Sequence, residues 1–197
     1  QSDLDSFKLL LGMAVDEPLQ ARPQELQVNV PKLTSDEATN LGPIAQAWHP
    51  AFIQKQIDQA VQQGARVLAG GKASTVDGRG RFFEPTLLVD VAPTLDVVRV
   101  ETFGPVLPIV AVDSDEEALA LINDSDLGLT ASVWTRDRDR AAHLAARIET
   151  GTVYMNQCDT LDPALPWTGV KDSGKGATLS ALGFQHLTRP KAYNFKL

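Results

Sequence analysis

The feature of this sequence that most constrains its fold is a regular alternation of apolar strands and amphipathic helices between residues 106 and 155. Val106 to Val112 is a continuous apolar run, which is typical of a strand buried on both faces. A helix is then predicted over 114–123 and a strand over 130–134, followed by a second helix over 137–148 and a second strand over 152–155. Alternation of this kind predicts an α/β fold with a mostly parallel sheet and flanking helices.

The part of the chain before residue 106 is less regular. Apolar spacing predicts helices over 3–14 and 50–63, and the second should end at Gly64 because glycine readily adopts the left-handed C-cap. Residues 15–47 contain four prolines and no sustained period, so we expect a long irregular connection with one short strand at Leu26–Val30. Strands are also predicted over residues 65–69 and 86–91, with a polar turn at 77–80 between them.

The C-terminal part ends in an alternating segment. A loop is predicted over 156–176, followed by a short helix over 178–184. In the tail 191–197, Tyr193, Phe195 and Leu197 alternate with more polar residues, which predicts a strand with one apolar face. Because such a strand needs a sheet edge to pair with, we expect a dimer or larger assembly with this tail at or near an interface.

Bulk composition excludes several classes of function. The net charge is −7 and the densest basic stretch, Arg136–Arg140, alternates with carboxylates, so no nucleic-acid surface is predicted. No apolar run approaches the roughly 18 residues that span a bilayer, and the first residues lack a signal-peptide pattern. With a single cysteine, these features favour a cytoplasmic protein. No metal site is predicted, because ligand spacing is absent from the three histidines, His49, His143 and His186.

Two loops contain residues that could carry chemistry. Glu101 lies just before Phe103-Gly104-Pro105, at the entry to the predicted strand that begins at Val106. A lone carboxylate is more often an ordinary loop residue than a functional one, although loops that border a parallel sheet often line a ligand crevice. Asn156 follows the predicted strand 152–155, and a strand-terminating Asn in a turn is the simpler interpretation.

Three motifs, in this order and at this separation, resemble the C-terminal half of the aldehyde dehydrogenase catalytic domain. They are Glu101-Thr102-Phe103-Gly104-Pro105, then Asn156, then the stretch Pro166–Gly176. The family pattern is E-x-F-G-P-V, a strand ending in V-x-x-N, and P-F-G-G-x-K-x-S-G-x-G. The resemblance runs from about Asp3 to Leu197, and residues 15–47 match only loosely.

The resemblance implies roles for particular residues. In the family, the matching Glu accepts hydrogen bonds from the ribose hydroxyls beside the nicotinamide, and the matching Phe packs near the nicotinamide ring. These roles fall on Glu101 and Phe103. The residue that matches Asn156 begins a loop around the mouth of the substrate tunnel. Candidates for lining the substrate pocket are therefore Asn156, Gln157, Cys158, Asp159, Thr160 and Leu161.

The Gly-rich stretch is similar to the family pattern but departs from it at two points. Phe-Gly of the family is Trp167-Thr168, and the Arg-Glu that usually follows is Ala177-Thr178. The second change removes a carboxylate that some members are thought to use for moving protons. Even in the family this stretch is mainly a structural turn leading into a helix, so it is assigned no catalytic role.

Cys158 is not predicted to be a nucleophile. Nothing near it in sequence would activate a thiol, and the nucleophile of the family precedes the E-x-F-G-P motif. In this chain the positions of that nucleophile, the general base and the cofactor-binding domain would all fall before Gln1. The resemblance therefore implies part of an enzyme, with no catalytic residue of its own and no NAD or NADP bound by this chain alone.

Two interpretations stay open. In the first, residues 1–188 are a truncated catalytic domain and 189–197 an oligomerisation strand of an NAD(P)-dependent enzyme that oxidises an aldehyde and forms homo-oligomers. In the second, the chain is a stand-alone, non-catalytic α/β module that serves interaction or regulation. The order of the motifs favours the first, and the altered residues at 168, 177 and 178 mildly favour the second. Neither the aldehyde nor the choice between NAD and NADP can be predicted from these residues.

Overall fold

The computed structural model describes residues 41–196, which divide into two compact units, 41–113 and 114–196. Three predictions lie outside the described residues: the helix over 3–14, the strand at Leu26–Val30 and most of the irregular connection. Each helix within residues 41–196 is too short or too polar to span a bilayer.

The 41–113 unit begins with helix α1 (His49–Gln62), as predicted within one residue. Pro50 occupies the first turn, where a missing N–H removes no helical hydrogen bond. The helix stops at Gly64, whose φ of +104° is readily adopted by glycine and whose N–H donates to Val61 O at 3.0 Å. Its buried face consists of Ile53, Gln56, Ile57 and Ala60.

A three-stranded sheet packs against this helix. Strand β1 (Arg66–Ala69) leads through a hairpin, β2 (Ala73–Val76) and β3 (Arg79–Phe83), to strand β4 (Thr86–Val89). Strand β4 runs antiparallel to β1 and parallel to β5 (Val106–Pro108). The connection between β4 and β5 contains the short helix α2 (Asp96–Arg99). The sheet and α1 enclose one apolar core, centred on Ile53, Ile57, Phe83 and Leu88.

The hairpin between β2 and β3 was expected only as a polar turn at 77–80. Its two connecting residues, Asp77 and Gly78, have φ of +51° and +70°, which is the backbone of a type I′ turn. The prediction of a strand buried on both faces over 106–112 is wrong in length and in burial. Strand β5 ends at Pro108, and both Leu107 and Val112 are exposed, because β5 lies at the edge of the three-stranded sheet and its second face is not covered by another described element.

The 114–196 unit contains a strand–helix–strand arrangement. Helix α3 (Asp115–Asn123) is capped by Ser114, whose Oγ accepts from Glu117 N at 3.1 Å. Strands β6 (Leu127–Gly128) and β7 (Thr130–Val133) follow, and then helix α4 (Arg138–Ala145) begins at Asp137, whose Oδ1 accepts from Arg140 N. Strand β8 (Thr152–Met155) runs parallel to β7 over four paired residues. Helix α4 is shorter than the predicted 137–148.

The segment 156–176, which was predicted as a loop, contains two short strands that pair antiparallel with strands outside it. They are β9 (Trp167–Thr168) with β11 (Ala177–Thr178), and β10 (Val170–Lys171) with β6. Helix α5 (Ser180–Leu187) starts two residues later than expected. The tail from 188 to 196 forms no strand with another described segment, and Tyr193 and Phe195 are exposed, with their rings stacked at 6.0 Å.

The predicted α/β class is confirmed. The strands named as parallel, at 106–112, 130–134 and 152–155, each lie in a parallel pair: β5 with β4, and β7 with β8. The remaining pairs in the described part of the chain are antiparallel.

Candidate functional site

The loop that carries Glu101 and Phe103 connects helix α2 to strand β5 and is tied down at both ends. At its start, Val100 N donates to Asp96 O at 2.8 Å and closes the last turn of α2. At its end, Pro105 O accepts from Thr86 N at 2.8 Å, which joins the loop to the first residue of β4. Residues 101–105 therefore enter the sheet along a fixed path.

Both side chains of interest project from this loop into solvent. Glu101 is exposed, and Phe103 is 75% exposed. Phe103 also has φ of +47°, a left-handed conformation that is unfavourable for an aromatic residue by about 1–3 kcal/mol and persists where the surrounding structure imposes it. Neither the Phe103 ring nor the neighbouring carboxylate is buried by packing among the described residues.

Gly104 allows the loop to approach the core closely. A Cβ atom at this position would lie 2.5 Å from Ile53 Cδ1 and 3.1 Å from Ile53 Cγ1. Ile53 is completely buried, so it has little room to move away. Gly104 therefore brings the backbone down onto α1 immediately after Phe103, and this places the Phe103 ring at the surface above the core.

A largely apolar groove of about 690 Å³ lies beside Phe103. Its apolar wall includes Pro43, Ile44, Trp48, Phe83, Phe103 and Pro105. A flat aromatic ring at the edge of such a groove can pack against another planar group. The neighbouring carboxylate of Glu101 can accept hydrogen bonds but cannot donate them when it is ionised.

The second candidate group begins at the carboxyl end of β8, in the 114–196 unit. Asn156 has φ of +54°, and its side chain makes two hydrogen bonds to one backbone unit. Its Oδ1 accepts from Thr135 N at 2.9 Å, and its Nδ2 donates to Thr135 O at 2.8 Å. The backbone N–H of Asn156 also donates to Val133 O. Asn156 thus holds together the segments that leave β7 and β8, and its place in a substrate pocket stays a prediction.

The residues after Asn156 form an exposed loop. Gln157 O accepts from Ser132 Oγ at 2.9 Å, and Cys158 O accepts from Thr160 Oγ1 at 3.3 Å. Asp159 adopts φ of +55°. The side chains of Cys158, Asp159, Thr160 and Leu161 are all exposed at the edge where β8 ends. Loops at the carboxyl edge of parallel strands often contribute to ligand sites, and the predicted lining role of these residues stays a prediction.

The Gly-rich stretch has a structural role in the described unit. Lys171 Nζ donates to Asn123 O at 2.7 Å, at the end of α3, and pairs with Glu149 at 2.9 Å. Ser173 Oγ accepts from Gly128 N at 2.8 Å. A Cβ at Gly151 would lie 1.7 Å from Thr168 O, so the stretch packs directly on backbone. These contacts agree with the interpretation of this stretch as a structural turn.

The two candidate groups lie in different units: Glu101 and Phe103 in 41–113, and Asn156 with its loop in 114–196. Their expected proximity stays a prediction. Sequence reasoning missed His49, which it considered only as a metal ligand. Its Nε2 lies 2.7 Å from the carbonyl oxygen of Thr102, and no motif in the sequence signals a contact across 53 positions. No group of potential metal-ligating residues is found within 41–196.

Comparison with known proteins gives consistent matches. The sequence model of the aldehyde dehydrogenase family matches residues 14–193. A succinate-semialdehyde dehydrogenase [NADP(+)] from Deinococcus radiodurans is 38% identical over 168 residues, which is 85% of this chain and 35% of that protein. A lactaldehyde dehydrogenase from Escherichia coli is 40% identical over 78% of this chain and 29% of its own length.

Solved structures show the same similarity. The NAD+ complex of an aldehyde dehydrogenase from Bacillus cereus superposes with a TM-score of 0.69 and 32% identity, over 75% of this chain and 30% of that chain. The crystal structure of lactaldehyde dehydrogenase from Escherichia coli gives a TM-score of 0.68 and 36% identity, over 74% of this chain and 30% of that one. The chain thus spans about a third of the length of the relatives it matches.

Proposed function

This chain belongs to the aldehyde dehydrogenase family, and we propose that it is part of an NAD(P)-dependent enzyme that oxidises an aldehyde to a carboxylic acid. In this proposal the chain supplies one wall of the nicotinamide site and part of the substrate tunnel, and the nucleophile comes from elsewhere in the enzyme. The observation that carries the proposal is the fixed loop on which Glu101 and Phe103 project together into solvent.

The chemistry of these two residues fits a nicotinamide riboside. The Glu101 carboxylate can accept hydrogen bonds from two vicinal ribose hydroxyls, and the Phe103 ring offers a flat apolar surface for the nicotinamide. When bound, the nicotinamide supplies the acceptor for the hydride of the aldehyde. The relatives carry both NAD+ and NADP(+) in their names, so the proposal extends to either cofactor.

The second part of the proposal concerns the aldehyde. The exposed loop at the end of β8 would line the mouth of the substrate tunnel, through Asn156, Cys158, Asp159, Thr160 and Leu161. A few polar groups among apolar ones are typical of small-molecule pockets. Relatives are named for succinate semialdehyde, lactaldehyde, betaine aldehyde and geranial, so the proposal specifies an aldehyde substrate and does not name one.

The assembly of the enzyme is also part of the proposal. We expect homo-oligomers in the cytoplasm, with residues 189–197 as the oligomerisation strand that follows the partial catalytic domain 1–188. The support is the exposure of Tyr193 and Phe195, on one side of an extended tail. Large exposed apolar patches commonly mark sites of protein association.

The experiment that tests the cofactor site is the Glu101→Gln variant in the enzyme that contains this chain. An amide replaces one acceptor oxygen with a donor, so a bond to one ribose hydroxyl is weakened and the KM for the nicotinamide cofactor should rise roughly threefold to tenfold. Glu116→Gln, an exposed carboxylate in the other unit, is the matched control and should leave this KM unchanged. Unaltered kinetics in Glu101→Gln would remove Glu101 from the site.

The assignment of Cys158 is tested in the 197-residue chain by itself. We expect no aldehyde oxidation with NAD or NADP, because the exposed Cys158 is not the nucleophile of the proposal. Turnover by the isolated chain that disappears in Cys158→Ala would show that the cysteine is catalytic. If the chain never assembles into a dehydrogenase but binds another protein, that result would instead favour the alternative interpretation as a non-catalytic interaction module.

A further inference from the structure

We propose that His49 and Gln56, two polar side chains on one face of helix α1, are positioning residues for the loop that carries Glu101 and Phe103. The inference rests on the proposed function, because the loop matters only if it contacts the cofactor. It concerns how the loop is held before any ligand arrives, and it follows from contacts on both sides of Glu101.

The first contact is the stronger one. His49 Nε2 lies 2.7 Å from the backbone carbonyl oxygen of Thr102, and since a carbonyl only accepts, Nε2 donates its proton there. Thr102 lies between Glu101 and Phe103. A single hydrogen bond at this residue therefore limits the backbone rotation that would reorient both neighbouring side chains.

The imidazole ring of His49 is itself held in place. The Trp48 ring stacks on it at 4.9 Å with an interplanar angle of 24°. The Phe52 ring, one turn further along the helix, meets it edge-on at 5.7 Å. Because the ring is packed on two sides, its Nε2 stays directed at the Thr102 carbonyl. Forming this hydrogen bond therefore costs less side-chain entropy than it would for a mobile side chain.

The second contact comes from Gln56, two helical turns after His49. Its Nε2 donates to Val100 O at 3.4 Å and to Asp96 O at 3.5 Å. These bonds are long and individually weaker than the one from His49. Val100 immediately precedes Glu101, so helix α1 contacts the backbone on both sides of this carboxylate.

Packing alone does not explain a glutamine at position 56. The residue is 4% exposed and lies on the apolar face of α1, and its Oε1 has no hydrogen-bond partner among the described residues. A buried acceptor without a partner is destabilising, so an apolar residue of similar size would suit the core better. The donation to Asp96 O and Val100 O is what the glutamine contributes in return.

The test begins in the 197-residue chain without cofactor. The variants His49→Leu and Gln56→Leu remove the two donors, and His49→Gln keeps a donor at position 49. Gln54→Leu is the matched control, because Gln54 lies on the same helix and its amide donates to the exposed Asp58. Hydrogen exchange is read by NMR on the two amides that hold the ends of the loop, Val100 N–H, which donates to Asp96 O, and Thr86 N–H, which donates to Pro105 O. A loop released from α1 should open these bonds more often, so we expect exchange at one or both amides to be roughly threefold to tenfold faster in the two leucine variants at positions 49 and 56.

The second measurement uses the enzyme that contains this chain. A residue that positions the loop should raise the KM for the nicotinamide cofactor more than it changes kcat, and His49→Gln should restore both the slow exchange and the KM. Gln56→Leu should fold at least as stably as the wild type, so misfolding does not account for its effect. The Gln54→Leu control should match the wild type in both measurements.

Each outcome is decisive. Unchanged exchange at both the Val100 and the Thr86 amide in both leucine variants would overturn the inference. So would faster exchange with an unchanged cofactor KM, if Glu101→Gln raises that KM in the same assay, and in that case the proposed function would still stand. If Glu101→Gln itself leaves the KM unchanged, the proposed cofactor contact of Glu101 fails and the positioning role fails with it.

Discussion

Replacement of Gly104 by alanine should destabilise the 41–113 unit through a steric conflict with the core. The new Cβ would lie 2.5 Å from Ile53 Cδ1 and 3.1 Å from Ile53 Cγ1, whereas carbon atoms in contact are ordinarily about 3.5–4.0 Å apart. Overpacking of this kind typically destabilises by about 1–3 kcal/mol. The reduced entropy of the unfolded chain offsets about 0.4–1 kcal/mol, so a net loss of about 1–2 kcal/mol in the free energy of unfolding is expected.

A second substitution identifies the cause of the loss. Ile53→Val removes Cδ1, the atom nearest to the new Cβ, and should by itself destabilise by about 0.5–1.5 kcal/mol. In that background Gly104→Ala should lose most of its steric effect. The double variant should therefore be more stable than the sum of the single variants predicts, with a coupling energy of about 1 kcal/mol or more.

The assay is urea unfolding of the chain, followed by far-UV circular dichroism and analysed for the free energy of unfolding. Gly183→Ala is the matched control, because Gly183 lies within α5 and its Cβ would meet nothing closer than 3.4 Å. That substitution should stabilise by roughly 0.5–1 kcal/mol. The reasoning is refuted if Gly104→Ala is as stable as the wild type, or if its effect and that of Ile53→Val add within about 0.5 kcal/mol.

Three further predictions concern the 114–196 unit. Asn156→Ala removes both hydrogen bonds to the buried Thr135 and should destabilise by about 1–3 kcal/mol in urea unfolding; an effect below the error would contradict the bridging role. The side-chain hydrogen bond from Arg140 lowers the pKa of Asp115. The pair therefore stabilises the folded state fully above the ordinary pKa of an aspartate carboxyl, and this stabilisation is lost as the pH falls through the lower pKa that Asp115 has in the folded state. Asp115→Asn should remove that dependence from unfolding curves measured between pH 5 and pH 2, and identical slopes in both proteins would contradict it. Deletion of residues 191–197 should convert the assembled chain to a monomer in sedimentation velocity, and a wild-type chain that is already monomeric at high concentration would defeat this prediction.

The regular elements could be predicted because their apolar periods are local. Helix α1, helix α3 and strand β8 lie within one residue of the sequence-based bounds. The hairpin β2–β3 was missed because β2 (Ala73–Val76) and the first three residues of β3 show little apolar alternation, although Asp77-Gly78 is a strong signal for a two-residue hairpin turn. The over-long strand at 106–112 has a different cause, since an apolar run predicts burial only if other elements cover both of its faces.

The candidate cofactor residues could be predicted from their motif, but the way they are held could not. Nothing in the pattern around Phe103 indicates its left-handed backbone, which depends on the tie to β4 and on the close approach of Gly104 to Ile53. The hydrogen bond from His49 to Thr102 O joins residues 53 positions apart. Contacts at such separation arise from the packing of α1 against the sheet, and they cannot be predicted from the periodicity of the sequence.

The residues that make this chain recognisable as a family member mostly hold the backbone in place. Gly104 lets the loop approach the core, Asn156 joins the segments after β7 and β8, and Ser173 accepts from the backbone at Gly128. Glu101 and Phe103 differ from them, because both are exposed and one is strained. Those two side chains contribute little to packing among the described residues, so substitution of either should change the free energy of unfolding little, and under the proposed function it should weaken cofactor binding.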